Sequence, residues 1–383
     1  MNKKARVLAL YLPQYHPIPE NDEWWGKGFT EWTNVAKAKP LFRGHYQPKI
    51  PTELGFYDLR LSEVREQQAE LARFAGVEGF LYWHYWFGNG KQLLERPFNE
   101  VLMSGKPDFP FCLGWANHTW SSKTWNKEKK KNTPSVLLKQ TYPGKEDYIS
   151  HFYSVLPAFK DKRYVLVDGK PFFLIWDPLN FDDVASFIDC WQELAKANGL
   201  KGIHFVGMAS SGNFRSRNSV LRIKDITKAS DNFSAVLSLG FDAVCSNGMT
   251  KANVQAVGYI KTFIHYFLKR FLKVKYIVKI DQGKVNQGLY CEEDQWENVY
   301  PTILPNFDRT PRTNDDTIYI NSSPSVFRRQ IEKCLDLIKQ KDKEHKIIIL
   351  KSWNEWGEGN YVEPDILYGR GYLDALRETI IED

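Results

Sequence analysis

No apolar run in the sequence approaches the ~20 residues that a membrane-spanning helix needs. Glycine and proline are modest, 25 and 19 in 383 residues, which excludes collagen-like and low-complexity architectures. Disorder is excluded as the main state, because 43% hydrophobic residues supply enough apolar surface to offset chain entropy. Cysteine is scarce: Cys112, Cys190, Cys245, Cys291 and Cys334 are odd in number, show no CxxC spacing and lie mostly in apolar runs. Buried free thiols in a reducing compartment fit that pattern. The start, MNKKARVLALYLPQYHP, is basic, but its apolar run is short and no small-residue cleavage site follows, so no signal peptide is read. The expected location is the cytoplasm, with the inner face of the membrane as a variant of it.

Several chemical signatures are missing as well. There is no P-loop, no H-E-x-x-H and no G-x-S-x-G. There is no D-x-D, the acidic pair by which many sugar-nucleotide transferases hold a metal, and histidines are scattered singly. Neither a metal nor another cofactor is expected. The net charge of +6 is local: residues 258–279 hold Lys261, Lys269, Arg270, Lys273, Lys275 and Lys279 and no acid, so the rest of the chain sums to zero. A uniformly basic nucleic-acid face is therefore absent, and no nucleic-acid partner is expected. The segment fits a peripheral helix on an anionic membrane. It fits equally a barrel helix whose apolar side is buried and whose lysines are solvated.

What the chain has is aromatic surface, with 13 Trp, 19 Tyr and 24 Phe, and an alternating series of elements. Eight continuous apolar runs, 6–12, 77–87, 109–116, 171–176, 203–209, 241–246, 299–307 and 347–353, read as parallel strands buried on both faces. Helical periodicity lies between many of them, over 59–75, 183–197 (with Asp182 as N-cap), 324–343 and 365–382. This predicts an α/β (β/α)8 TIM barrel with elaborated loops at the C-terminal face of its strands, as a single domain over 1–383. An open doubly wound sheet is the alternative, but no G-x-G-x-x-G follows the first strand.

The sharpest chemical signal follows the eighth strand, in Lys351-Ser352-Trp353-Asn354-Glu355-Trp356-Gly357-Glu358. Two carboxylates three residues apart at a barrel's C-terminal face suit glycoside chemistry, where one group protonates the departing oxygen and the other is base or nucleophile. Adjacent rings can raise the pKa of one of them. Glu355 and Glu358 are the candidate catalytic pair, with Asn354 and Trp356 beside them. Candidate sugar contacts are Trp24, Trp25, Glu31 and Trp32 in the first loop, and His84 and Trp86 at the second strand's end. Trp115, Asn117 and Trp120 after the third strand, and Asp308 and Arg312 after the seventh, complete the set. Asp308 and Arg312 also suit a structural ion pair.

Five motifs in order, YLPQYHPIPENDEWWGKGFTEWTNV, LYWHYWF, LGWANHTW, PNFDRTPR and SWNEWGEGNYVEPD, resemble the WbsX-type glycosyltransferase family, which is related to glycoside hydrolase family 99. The resemblance spans roughly residues 6–365. It implies a (β/α)8 barrel and an oligosaccharide or polysaccharide substrate. It also implies Glu355 as a general base that deprotonates the sugar's own 2-hydroxyl, and Glu358 as the general acid. Configuration is then retained through a 1,2-anhydro sugar. The expected activity is sugar transfer in O-antigen, lipopolysaccharide or capsule assembly; an endo-α-glycoside hydrolase and a non-catalytic glycan-binding barrel are the alternatives.

Overall fold

The computed structural model describes residues 2–122, 135–212, 229–272, 277–313 and 317–382, without the side chains of residues 266, 269 and 270. Eight parallel strands form its centre: β1 (Arg6–Tyr11), β2 (Gly79–Trp86), β3 (Phe111–Trp115), β4 (Lys170–Ile175), β5 (His204–Ser210), β6 (Ala243–Asn247), β7 (Val299–Ile303) and β8 (Ile347–Leu350). Each pairs with its neighbours in sequence order. The ring closes where β1 meets β8 (Ala9 opposite Leu350) and β2 (Ala9 opposite Phe80). The fold is thus a closed (β/α)8 barrel, and all eight apolar runs are its strands. The runs are continuous because both faces of each strand are covered, the interior by barrel side chains and the exterior by helices; Ile347–Leu350 is wholly buried. The run 347–353 overshoots, however. The strand ends at Leu350, and Lys351–Trp353, joined by a cis Lys351–Ser352 peptide, leave the barrel toward its C-terminal face.

The helices keep their expected places with trimmed ends. Two short ones, α1 (Pro19–Trp25) and α2 (Glu31–Ala36), occupy the first loop before α3 (Ser62–Phe74). Between β2 and β3 lies α4 (Arg96–Ser104), followed in turn by α5 (Lys145–Phe159), α6 (Val184–Ala197) and α7 (Ala229–Leu237). The expected Asp182 cap gives way to Asp183, whose carboxylate accepts from the Tyr148 hydroxyl (2.9 Å) instead of capping α6. The β6–β7 connection carries α8 (Met249–Val257), α9 (Tyr259–Phe271) and α10 (Gln282–Gly288). After β7, Thr317–Ile320 runs parallel to Val278–Asp281, and α11 (Pro324–Ile338) and α12 (Gly371–Ile380) complete the ring. Ser323 caps α11, its hydroxyl accepting from the Val326 N–H (3.3 Å), with Pro324 in the first turn.

The basic segment departs from one of its two readings. A barrel helix with a buried apolar side is not what forms, since α8 and α10 pack together while α9 lies on α8 with its rings exposed. Lys273 and Lys275 lie outside the described residues. No described helix is long and apolar enough to cross a membrane.

Candidate active site

A cavity of about 630 Å³ opens over the C-terminal ends of the strands. Its walls come from many of them: Leu12 after β1, Trp83 and Tyr85 on β2, Ala116 after β3, Trp176 after β4, Asn247 on β6 and Lys351 after β8. Trp120, Phe307, Arg309, Arg312, Glu355 and Glu358 face the same space. Rings and a few converging charged groups are the usual equipment of a small-molecule site.

The two carboxylates are set by a short hairpin. Asn354–Glu355 pairs antiparallel with Asn360–Tyr361 across the turn Trp356–Glu358. Asn354 fastens this hairpin to the end of β1, its Oδ1 accepting from the Leu12 N–H (2.7 Å) and its Nδ2 donating to the Leu12 carbonyl (3.1 Å). Trp353 and Trp356 are fully buried behind the hairpin. The Trp356 ring stacks on Tyr361 at 3.6 Å, and its N–H donates to Glu363 (2.6 Å). These rings therefore anchor the turn and do not wall the cavity.

Glu355 and Glu358 share one cation. Arg312 Nη1 donates to Glu355 Oε1 (3.1 Å) and to Glu358 Oε1 (2.7 Å), while its Nε donates to Glu31 Oε1 (2.9 Å). Arg309 Nε lies 3.2 Å from Glu358 Oε1, and the Ser352 hydroxyl donates to Glu355 Oε2 (3.1 Å). Both carboxylates are 13% exposed, and what is exposed faces the cavity. Their environments push them apart. Burial, reinforced by the charge of Glu358, raises the Glu355 pKa above its ordinary value against the pull of Arg312 and Lys351. Burial acts on Glu358 too, but Arg312, Arg309 and Lys351 outweigh it and leave that carboxyl below its usual range. Glu31, wholly buried on the far side of Arg312, is pushed up to about 7 by burial, with Arg312 opposing and the pair adding to the rise. Gly357 lets this carboxylate approach, because a Cβ there would overlap Glu31 Oε1.

The other expected contacts divide into two groups. Of the candidates, Trp120, Arg312, Glu355 and Glu358 line the cavity. Trp24 packs edge-on against Trp120 (6.0 Å), Trp25 lies beside Phe29 (6.0 Å), and Trp32 is buried with its N–H donating to the Tyr57 carbonyl (2.8 Å). His84 and Trp86 point away from the cavity to α5. His84 Nε2 meets His151 Nε2 at 2.8 Å, and Trp86 stacks on His151 (4.5 Å) and donates to Asp147 (3.0 Å). Burial lowers the His84 pKa to about 4. Trp115 is buried, donating to the Trp86 carbonyl (2.8 Å). Asn117 ties its loop to Asp177, accepting from the Asp177 N–H (2.8 Å) and donating to the Asp177 carbonyl (3.0 Å). The Asp308–Arg312 pair does not form. Asp308 accepts instead from Gln47 (2.6 Å) and the Thr310 hydroxyl (2.6 Å) and meets His45 Nε2 at 2.9 Å. Its own N–H donates to the Glu358 carbonyl (2.6 Å), so it holds the carboxylate-bearing turn from behind.

Trp83, Tyr85, Trp176, Arg309 and Lys351 face the cavity but are absent from the sequence-derived set. For Trp83 and Tyr85 the signal was present: strand alternation separates them from His84 and Trp86. Lys351, at the end of β8, places its ammonium 5.6 Å from the centre of the Trp176 ring. Among the described residues no group of three or more His, Cys, Asp or Glu is placed to hold a metal ion.

Comparison with known proteins gives this site its context. The chain is 30% identical, over 98% of its length, to the uncharacterised protein WxcX of Xanthomonas campestris pv. campestris, in strains B100 and ATCC 33913. It spans about half the length of those relatives, 50% of each. Among solved structures it resembles a glycoside hydrolase-like protein (TM-score 0.59, 17% identity, 100% of this chain and 95% of that one). It also resembles the GH99 endo-alpha-mannosidase of Bacteroides thetaiotaomicron (TM-score 0.51, 13% identity, 99% and 96%). At those identities the likeness is one of fold, and it agrees with the closed barrel. The family model described as glycosyltransferase WbsX matches residues 7–376, nearly the whole described barrel, and the chain belongs to that family.

Proposed function

We propose that this chain is a carbohydrate-active enzyme, a single catalytic barrel over 1–383 that transfers a glycosyl group with retention during assembly of a cell-surface polysaccharide. The observation that carries the reading is the carboxylate pair on one guanidinium, facing a ring-lined cavity at the C-terminal end of the barrel. Glu355 takes the proton of the sugar's 2-hydroxyl, and that oxygen attacks the anomeric carbon as the bond to the leaving group breaks. The leaving oxygen keeps the electron pair. In the second half an acceptor hydroxyl opens the 1,2-anhydro sugar, passing its own proton to the ionised Glu358 while Glu355 returns its proton to O2. Geometry requires a 2-hydroxyl on the face opposite the leaving group, as in α-mannosides.

The electrostatics suit one half of this scheme directly. A base gains strength from a raised pKa, which is the state of Glu355. A general acid must carry its proton, and Arg312, Arg309 and Lys351 favour the ionised form of Glu358. A phosphate leaving group, as in nucleotide- or lipid-linked sugars, departs without needing that proton. A sugar leaving group needs Glu358 to gain one when the substrate displaces Arg312 or Arg309. Hydrolysis of an endo-α-glycosidic bond is the second reading, supported by the same paired carboxylates.

The test is a product screen by mass spectrometry, with α-mannoside and bacterial polysaccharide oligosaccharides, nucleotide- and lipid-linked donors, and acceptor sugars present or absent. An extended acceptor supports transfer, and shortened oligosaccharides support hydrolysis. No product from any donor or oligosaccharide rejects both.

A further inference from the structure

The face of α9 is the feature of this molecule that the cavity chemistry leaves unused. Phe263 (43% exposed), Ile264 (47%), Phe267 (45%) and Phe271 (64%) lie three, four, seven and eleven residues after Ile260 (76%), so all five share one side of the helix. A contiguous ring-rich face of this kind, left in water, marks an interaction site. The surrounding segment, 258–279, carries six lysines and arginines and no acid. We infer that α9 is an interfacial helix that docks the enzyme onto an anionic bilayer surface, its rings entering the headgroup boundary and the net positive charge of its segment drawing it to the lipid phosphates.

Charge selects this occupant over a second copy of the chain. A two-fold contact through α9 would bring two such segments together and set like charges against each other. An anionic leaflet neutralises the same cations and accepts the same rings. The location fits as well. The chain enters α9 directly from α8, whose Met249, Thr250 and Asn253 line the catalytic cavity. It returns through Val278–Asp281 beside Thr317, which lines the same cavity. Docking through α9 holds the cavity near the bilayer, where sugars on lipid carriers reside; that last step rests on the transferase reading, whereas the docking itself does not.

Vesicle flotation tests it, using phosphatidylcholine vesicles with and without about one third phosphatidylglycerol. The wild-type chain is expected to float with the anionic vesicles, weakly or not at all with neutral ones, and less as salt rises. The double substitution Phe263→Glu, Phe267→Glu is expected to weaken binding roughly 100-fold by removing two rings and adding repulsion. Lys261→Glu is expected to weaken it by roughly tenfold, and Ile260→Asp gives an independent probe at the most exposed position. Melting temperature checks that each variant folds. Flotation unaffected by all these substitutions overturns the proposal, as does wild-type binding that ignores lipid charge and salt. A wild-type dimer that the double variant splits, with no vesicle binding, assigns the face to a second copy instead. None of these residues lines the cavity, so turnover of water-soluble substrates should be unchanged in the variants. A wild-type chain that turns over substrate but does not dock rejects this inference alone, and a wild-type chain that docks without turnover rejects only the transferase reading.

Discussion

Arg312 is 5% exposed and bonds three carboxylates, two of them facing the cavity. Truncating it as Arg312→Met leaves buried charge without its partner, and a loss of about 3–5 kcal/mol is expected by denaturant unfolding. Gly357→Ala drives a Cβ into the Glu31 carboxylate, so a loss of about 1–3 kcal/mol is expected, together with reduced turnover as Arg312 shifts. Glu363 offers a cleaner pH probe away from the cavity. It accepts from the Tyr57 hydroxyl (2.9 Å), Gln68 (2.6 Å) and Trp356 (2.6 Å), and burial still pushes its pKa up to about 7. An acid raised this way keeps its proton in the folded chain while the unfolded chain releases it. Stability therefore falls as pH rises from the ordinary carboxyl value of 4.5 to about 7. Glu363→Gln, which mimics the protonated form, should remove about 3 kcal/mol of that fall, read from unfolding curves across the window. Asp308 and Glu358 act in the opposite sense: their depressed pKa values give stability that is lost as pH drops into the acid range.

The end of β2 shows at the level of an element what a sequence reveals and what it withholds. Its run of rings was legible as a strand, and alternation correctly splits it into two faces. Which face meets the cavity depends on helix α5, whose His151 stacks on Trp86, and no local signal reports that. Trp86→Ala is expected to cost about 3–5 kcal/mol of stability as a core truncation. Trp83→Ala should leave melting nearly unchanged but weaken sugar binding, measured by calorimetry. The placement of the two carboxylates at the cavity was legible because they follow a buried strand within one short motif. The Glu31–Arg312 bond was not, since its partners are 281 residues apart and only barrel closure brings α2 to the loop that follows β7. The eight strands were the most legible elements, because burial on both faces writes an unbroken apolar run.

At the scale of the whole molecule, charge is divided between two places. A compact set of acids and cations is held at the barrel's C-terminal face, and a basic, ring-bearing segment projects beside it on α9. The first suits glycosyl chemistry and the second suits attachment to an anionic surface, as the proposed function and the proposed docking require. The central claim, that Glu355 and Glu358 carry the reaction, is tested most directly by the turnover of Glu355→Gln beside the wild type on the substrate found by the product screen, with melting temperatures matched. A rate lower by about 10²–10⁴-fold with an unchanged fold is the expected result. Wild-type turnover by Glu355→Gln would contradict the account.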